Sequence, residues 1–290
     1  MIIQETRESY PIGELCEMLG VSRSGYYHWE KRKLTMRKVE NMHLLEKIRF
    51  YYESSRRTYG LPRLWQSLRR EGIYVNRKRV YRLMKLNNIR AKMKKHFRVT
   101  TRRDERASYS NNLLKGNFSS PAKDQIWTSD ITYLWTKEGW FYLAVVMDLN
   151  SRKIVGWSTG TNLSASLVER AIRMALCHRR PEGGVIFHSD RGSQYTSSLV
   201  RETLRKSGAQ QSMSSTGNCY DNAVTESFFH TLKTEWTNWE NYQTREEAKR
   251  SIFEFIEIFY NRKRLHSTLN YLSPVEFEEK NMEIITNKVA

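Results

Sequence analysis

Apolar side chains at Ile12, Leu15 and Leu19 recur at helical spacing, Gly20 and Val21 interrupt the period, and Ser22 is placed to cap a second helix running to Arg32. This predicts a helix-turn-helix over residues 1–35, with Arg23, Ser24, Tyr27 and His28 available to a DNA groove. A second helical unit is predicted over residues 40–91. It comprises a helix around Met42 to Ser54, another from Leu61 to Arg70, a turn at Glu71-Gly72, and a third helix capped by Asn76. In that third helix Val80, Leu83 and Met84 fall on the core side, which leaves Arg77, Lys78, Arg79 and Arg82 facing outward.

Periodicity then fades. Residues 92–117 are rich in Lys, Arg, Ser and Asn and read as a basic linker. From Gln125 the pattern changes to strands: Ile126 to Trp135, a turn at Lys137-Glu138-Gly139, an apolar run from Phe141 to Met147, and Lys153 to Ser158 after the Asn150-Ser151 turn. That is a three-stranded antiparallel meander. Helical spacing returns from Ala165 to Arg179, followed by a short buried strand at Val185 to Phe187, a helix near Ser198 to Ser207, a short stretch at Gln211 to Ser214, and helices at about 222–237 and 244–260. The expected class is α/β: an RNase H-like core over residues 118–285, preceded by an all-α helix-turn-helix region.

Charge sharpens this division. Residues 1–117 carry 28 Lys and Arg against 11 Asp and Glu, so nearly all of the net charge of +18 lies in the helical front of the chain. Such an excess suits a polyanion, DNA above all, although a solvated basic surface is the ordinary alternative. Trp140 to Met147 is the longest apolar stretch, far short of the roughly 20 residues a membrane span needs, and the start of the chain has no apolar signal core. A cytoplasmic, nucleoid-associated protein with no membrane partner is expected. Cys16, Cys177 and Cys219 lie far apart, without the spacing of a zinc site or a disulfide framework.

Three acidic residues carry the candidate chemistry. Asp130 sits inside the first strand among β-branched and aromatic neighbours, where a carboxylate is disfavoured unless paired or metal-bound. Asp190 follows the strand Val185 to Phe187 directly, at the kind of strand end where α/β proteins gather ligand groups. Glu226 lies about one turn into the helix opened by Asp221-Asn222. Taken singly, Asp190 could cap a turn and Glu226 could be a surface acid. Together they form an oxygen-only set suited to hard cations such as Mg²⁺, of which two can serve phosphoryl transfer. Glu235 is nine positions from Glu226 and near the opposite helix face, and Asp221 is better read as an N-cap, so neither joins the set.

Between Asp190 and Glu226 stand 35 residues, and Lys233 follows Glu226 by seven. This spacing joins three motifs: Trp127-Thr128-Ser129-Asp130-Ile131-Thr132-Tyr133, His188-Ser189-Asp190-Arg191-Gly192-Ser193-Gln194-Tyr195, and Asp221-Asn222-Ala223-Val224-Thr225-Glu226-Ser227-Phe228-Phe229. The combination closely resembles the integrase-like core of the IS-three family of insertion-sequence transposases. Tyr260 to His266, Ser273-Pro274 and the upstream Arg77 to Met84 segment resemble other parts of that family, so the likeness covers nearly the whole chain. It implies a product of the element's second reading frame, with Asp130, Asp190 and Glu226 as the triad and Lys233 as its trailing lysine. It implies strand cleavage and strand transfer dependent on Mg²⁺ or Mn²⁺, as a pair of ions. The implied partners are the element's inverted-repeat ends, target DNA, further copies of the chain, and an upstream-frame protein as fusion partner.

Lys233, two turns from Glu226, would hold a phosphate or terminal base, or else be an ordinary helix lysine. Arg264 and His266 are expected to contact DNA or close the rim of the site, with capping of the preceding helix as the equal alternative. A DNA-binding regulator whose core does not cut is the rival reading. A retrovirus-like integrase would require an N-terminal zinc unit, and Cys16 and His28 have no second cysteine nearby.

Overall fold

The computed structural model describes residues 2–31, 35–92, 110–114, 120–214 and 223–289, with side chains to residue 284. Most of the basic linker, Cys219 and the capping position Asp221 lie outside the described residues.

The chain opens with α1 (Ile2–Thr6), too short to leave a period in the sequence, then α2 (Ile12–Met18) and α3 (Arg23–Glu30). Gly20 adopts φ +63°, Val21 N–H donates to the Cys16 carbonyl at 3.0 Å, and Ser22 Oγ accepts from Gly25 N–H at 3.1 Å. One helix is thus closed and the next started within four residues. Ile3, Leu15, Cys16 and Tyr26 form a small core of their own beneath these helices.

A longer helix, α4 (Met36–Ser54), begins six residues before its apolar period does, because its first turns are exposed and bury nothing that would register. It packs with α5 (Leu61–Arg70), which carries Pro62 in its first turn, and α6 (Arg77–Leu86), whose cap Asn76 accepts from Lys78 N–H at 2.8 Å. Ile48, Leu64, Leu68 and Val80 are fully buried, in a cluster that continues without a break into the C-terminal half of the protein.

That half is built on a five-stranded sheet: β1 (Ile126–Thr136), β2 (Gly139–Asp148), β3 (Ile154–Gly160), β4 (Ile186–Ser189) and β5 (Gln210–Met213), in the order β3-β2-β1-β4-β5. β1, β2 and β3 are antiparallel neighbours, while β4 pairs parallel to β1 and β5 parallel to β4. This meander with a parallel extension is the RNase H-like core expected from the sequence. The apolar run of β2 is buried on both faces because each is covered. Ala144 and Val146 pack with α7 (Ala165–Arg179) and α9 (Ser198–Lys206), and Leu143, Val145 and Met147 pack with α10 (Ala223–Glu235) and the helix after it. The short α8 (Ser193–Thr196) lies between β4 and α9.

The helix predicted over 244–260 is two structures. Thr244 and Glu247 form a reciprocal capping box for α11 (Arg245–Phe253), which widens into a π-helix over Glu254–Tyr260. The sequence reading also missed α12 (Pro274–Val289). It is docked by Glu278, which takes Arg179 at 2.6 Å, Lys153 at 3.0 Å and the Ser151 hydroxyl at 2.7 Å. Among the described residues no helix is long and apolar enough to cross a membrane.

Candidate active site

The parallel pairing of β1 with β4 sets the first relation in the site. Ser129 and Ser189 are register partners, and β4 ends there, so the next residues, Asp130 and Asp190, stand side by side where β4 stops. Asp130 is half-buried, and its Oδ1 accepts from Ile131 N–H at 2.7 Å. Asp190 Oδ1 accepts from Gly192 N–H at 2.9 Å, and a Cβ on Gly192 would stand 3.0 Å from that oxygen, so glycine gives the loop room to turn around its own carboxylate.

Glu226 arrives from the other side, exposed on the first turn of α10. Its neighbour Thr225 is fully buried and donates through Oγ1 to Thr128 Oγ1 at 2.8 Å, which pins the helix start to β1 beside Asp130. On the opposite face of β1, Ser129 Oγ and the buried Tyr195 hydroxyl lie 3.0 Å apart, so α8 braces the strand from below. His188, wholly buried on β4, shares a hydrogen bond with Ser212 Oγ at 2.9 Å. Most of these threonine, serine, tyrosine and histidine positions stand within the quoted motifs, but local pattern assigns them no role of their own. Their signal is polarity inside buried strands, which is visible only once burial is known.

Electrostatics binds the three acids into one unit. Burial raises Asp130, the Asp190 charge raises it further, and Glu226 adds to this against the Ile131 hydrogen bond and Lys233, leaving the carboxyl at about 8. Asp190 is also raised by burial, opposed by the Gly192 hydrogen bond. Two raised aspartates, one of them repelled by its acidic neighbours, are what a divalent cation would relieve, and the all-oxygen donors suit Mg²⁺ or Mn²⁺. Among the described residues, no three His, Cys, Asp or Glu side chains already stand close enough to form a ready-made metal cluster.

Lys233 reaches this group from α10. It is partly buried, its ammonium lies 5.0 Å from the centre of the Tyr133 ring, and burial lowers its pKa while Tyr133 and Asp130 pull it back up.

Arg264 and His266 stand elsewhere. The expectation that they contact DNA or close the rim is corrected by their packing: Arg264 is 5% exposed and forks onto Glu235, Nε to Oε2 at 2.8 Å and Nη2 to Oε1 at 2.7 Å. Burial alone would lower its pKa, but the Glu235 hydrogen bonds and charge reverse that and hold the guanidinium above its usual range. His266 packs edge-on against Tyr260 with ring centres 4.8 Å apart, and its Nε2 is buried with no hydrogen-bond partner among the described residues. Burial, then the Arg264, Arg63 and Arg152 charges, push it down to about 2. Arg63 of α5 also reaches Glu235 at 3.4 Å, and the Tyr59 hydroxyl donates to the Lys263 carbonyl at 3.1 Å and accepts from Leu265 N–H at 2.9 Å. The Arg264 region thus fastens the helical unit to the sheet domain.

Of the other basic positions, Arg77, Lys78 and Arg82 are exposed along α6, whereas Arg79 is tied back to α4 through Asn41 at 2.8 Å and Glu40 at 2.9 Å. Arg23 is exposed at the start of α3, with its guanidinium laid over Gly13 of α2.

Family models match in three places: an HTH-like domain over residues 40–97 and an integrase core domain over residues 120–219 and again over 226–282. The chain is 39% identical over 284 residues to the transposase InsF for insertion sequence IS3A of Escherichia coli strain K12, covering 97% of this chain and 99% of that one. The chain belongs to the IS3 family of transposases. An uncharacterized 31 kDa protein of insertion element IS600 from Shigella sonnei is 43% identical over 266 residues, covering 92% of this chain and 98% of that one. Among solved structures, the HTLV-2 integrase catalytic core in complex with magnesium is similar at a TM-score of 0.44 and 13% identity, covering 55% of this chain and 99% of that one. The BIV integrase core is similar at 0.41 and 17%, covering 56% and 99%. As a transposase with an integrase core, the chain is an enzyme of the polynucleotidyl transferase class.

Proposed function

We propose that this transposase cuts and joins DNA strands at the inverted-repeat ends of its own insertion sequence, with Asp130, Asp190 and Glu226 as ligands of two divalent cations. The observation that carries the reading is the convergence of three carboxylates from a strand, a strand end and a helix, close enough that Asp190 and Glu226 add to the burial that raises Asp130 to about 8. Acids alone would repel the phosphodiester they are meant to act on, and cations resolve that conflict. When bound, Mg²⁺ or Mn²⁺ supplies activation of the attacking oxygen and neutralisation of charge on the phosphate.

The chain's own residues do the rest. Thr225 and Thr128 hold the helix-borne and strand-borne ligands in register, Tyr195 keeps β1 from shifting beneath Asp130, and Lys233 offers a cation to the phosphate beside the carboxylates. The basic exposed face of α6 at Arg77, Lys78 and Arg82, and Arg23 on α3, grip the DNA ends through phosphates. The working assembly is a complex of several copies on paired ends in the nucleoid, with the upstream-frame protein of the element as fusion partner.

Asp190→Asn tests the reading. It should abolish Mg²⁺-dependent nicking and joining of end-containing DNA and leave binding to the ends intact. Joining that survives the substitution would sink the ligand assignment. End binding by the wild type without any metal-dependent nicking would leave a regulator instead.

A further inference from the structure

β1 outruns its neighbour. β4 pairs with β1 only over residues 126–129, whereas β1 continues to Thr136 along β2 alone, so among the described residues the edge of β1 beyond Asp130 is open. Along that segment Thr132, Leu134 and Thr136 are buried, and Tyr133 and Trp135 turn outward at 37% and 60% exposure. Trp140, directly opposite Trp135 in register, is 47% exposed. The three rings form a ladder. Trp140 meets Trp135 at 4.9 Å and 76°, and Tyr133 at 5.0 Å and 87°. In each edge-to-face pair the edge of one ring meets the face of the other, so what the surroundings can still reach is the exposed remainder of the rings, greatest at Trp135 and Trp140.

This ladder lies on the face of β1 opposite Asp130, around the open strand edge from the active site, and is set among cations. Lys233, which interacts with Asp130, lies over Tyr133. At the hairpin turn Gly139 takes φ +103°, and the Arg245 guanidinium lies against it, Nη2 3.2 Å from where a Cβ would stand. Lys137 is exposed in the same turn, and the nearby Glu138 is occupied by Arg245 N–H at 2.8 Å. At a strand rise of about 3.4 Å per residue, Tyr133 lies roughly 10 Å and Trp135 roughly 17 Å along β1 from Asp130, a few nucleotides from the carboxylates.

Exposed aromatic faces flanked by positive charge match one occupant best, a nucleic-acid strand whose bases are out of the double helix. Bases inside a duplex are already stacked and cannot reach a ring, while an unpaired base finds both a π-face and a neutralising cation. A second protein copy would bring no negative backbone to answer Lys233, Lys137 and Arg245. We propose that Trp135 and Trp140, braced by Tyr133, are a stacking platform for unpaired bases of the DNA strand next to the scissile bond, and so position that strand at the carboxylates. The proposal rests on the strand-joining reading above.

The test has two arms. In the first, the full chain binds a short fluorescently labelled single-stranded oligonucleotide, which requires no chemistry. Trp135→Ala and Trp140→Ala should each weaken binding about tenfold, Trp135→Phe should keep it within about twofold, and Trp135→Leu should behave as the alanine variant does. In the second, abasic sites are walked along the strand flanking the cleaved end in the Mg²⁺-dependent joining assay. One abasic position should slow the wild type about tenfold and add nothing to Trp135→Ala, because the same contact is already gone. Full binding by Trp135→Leu, or abasic and tryptophan losses that multiply at every position, would overturn the platform. So would a loss that tracks a change in oligomeric state by sedimentation rather than the presence of a base. A wild type that binds single strands as expected and never joins ends would refute the joining reading and leave the platform standing.

Discussion

The Thr225 hydroxyl donates to the Thr128 hydroxyl across 2.8 Å, with both side chains buried. Thr128 precedes Asp130 by two positions on β1, and Thr225 directly precedes Glu226 on α10, so this bond sets the separation of two of the three acids. Thr225→Val keeps the shape and deletes the donor. Stability should fall by only about 1 kcal/mol, while single-turnover strand joining should fall by about tenfold or more with end binding unchanged. Loss of joining no larger than the loss of folded protein would show that the bond has no positioning role.

Arg264 and Glu235 form a charge pair in the interior, with Arg63 as a third member. Removing one partner strands the other in a poorly solvating place, so Arg264→Met should cost about 3–5 kcal/mol in urea unfolding. Arg264→Met combined with Glu235→Leu should recover a large part of that. If Arg264 were instead a DNA contact, the single variant would weaken end binding and leave the unfolding midpoint where it was.

His266 gives the protein an acid-side weakness. Its folded-state pKa is about 2 against an ordinary value of 6.5, so below pH 6.5 the unfolded chain takes up a proton that the folded chain refuses. This group's contribution to stability is full above pH 6.5 and declines as pH falls, by up to about 1.4 kcal/mol per unit. His266→Phe, which keeps a ring against Tyr260, should flatten the decline of the unfolding free energy between pH 6.5 and pH 5. Parallel curves for the two proteins would rule the titration out.

Gly156 lies on β3 where α7 crosses it, and a Cβ there would overlap the Ala171 carbonyl and crowd Ala175 N. Both obstacles are helix backbone, which cannot swing aside. Gly156→Ala should therefore destabilise the sheet domain by roughly 1–3 kcal/mol, read by thermal unfolding, despite alanine's better backbone entropy. An unchanged or raised midpoint would mean that α7 can retreat at no cost.

Local pattern carried much of this protein. The turn at Gly20, the Asn76 cap, the apolar run of β2 and the order of strands and helices follow from residue preferences and periods that act within a few positions. The acids were legible for another reason: an aspartate amid β-branched and aromatic residues, and another at a strand end, are costly without a use. What could not be read locally was which side chains meet. Arg264 finds Glu235 from 29 positions away, and α12 is held through Glu278 by Arg179 from 99 away. Neither pairing leaves a period, so Arg264 read as a DNA-facing or capping cation and no helix was expected over α12. The sequence by itself determined most of the elements and the chemical types of the site residues. Only the tertiary structure decided that Asp130 and Asp190 stand abreast, that Arg264 is buried, and that the Tyr133, Trp135 and Trp140 rings face outward beside Lys233, because these depend on strand register and burial, which are set by packing between distant segments.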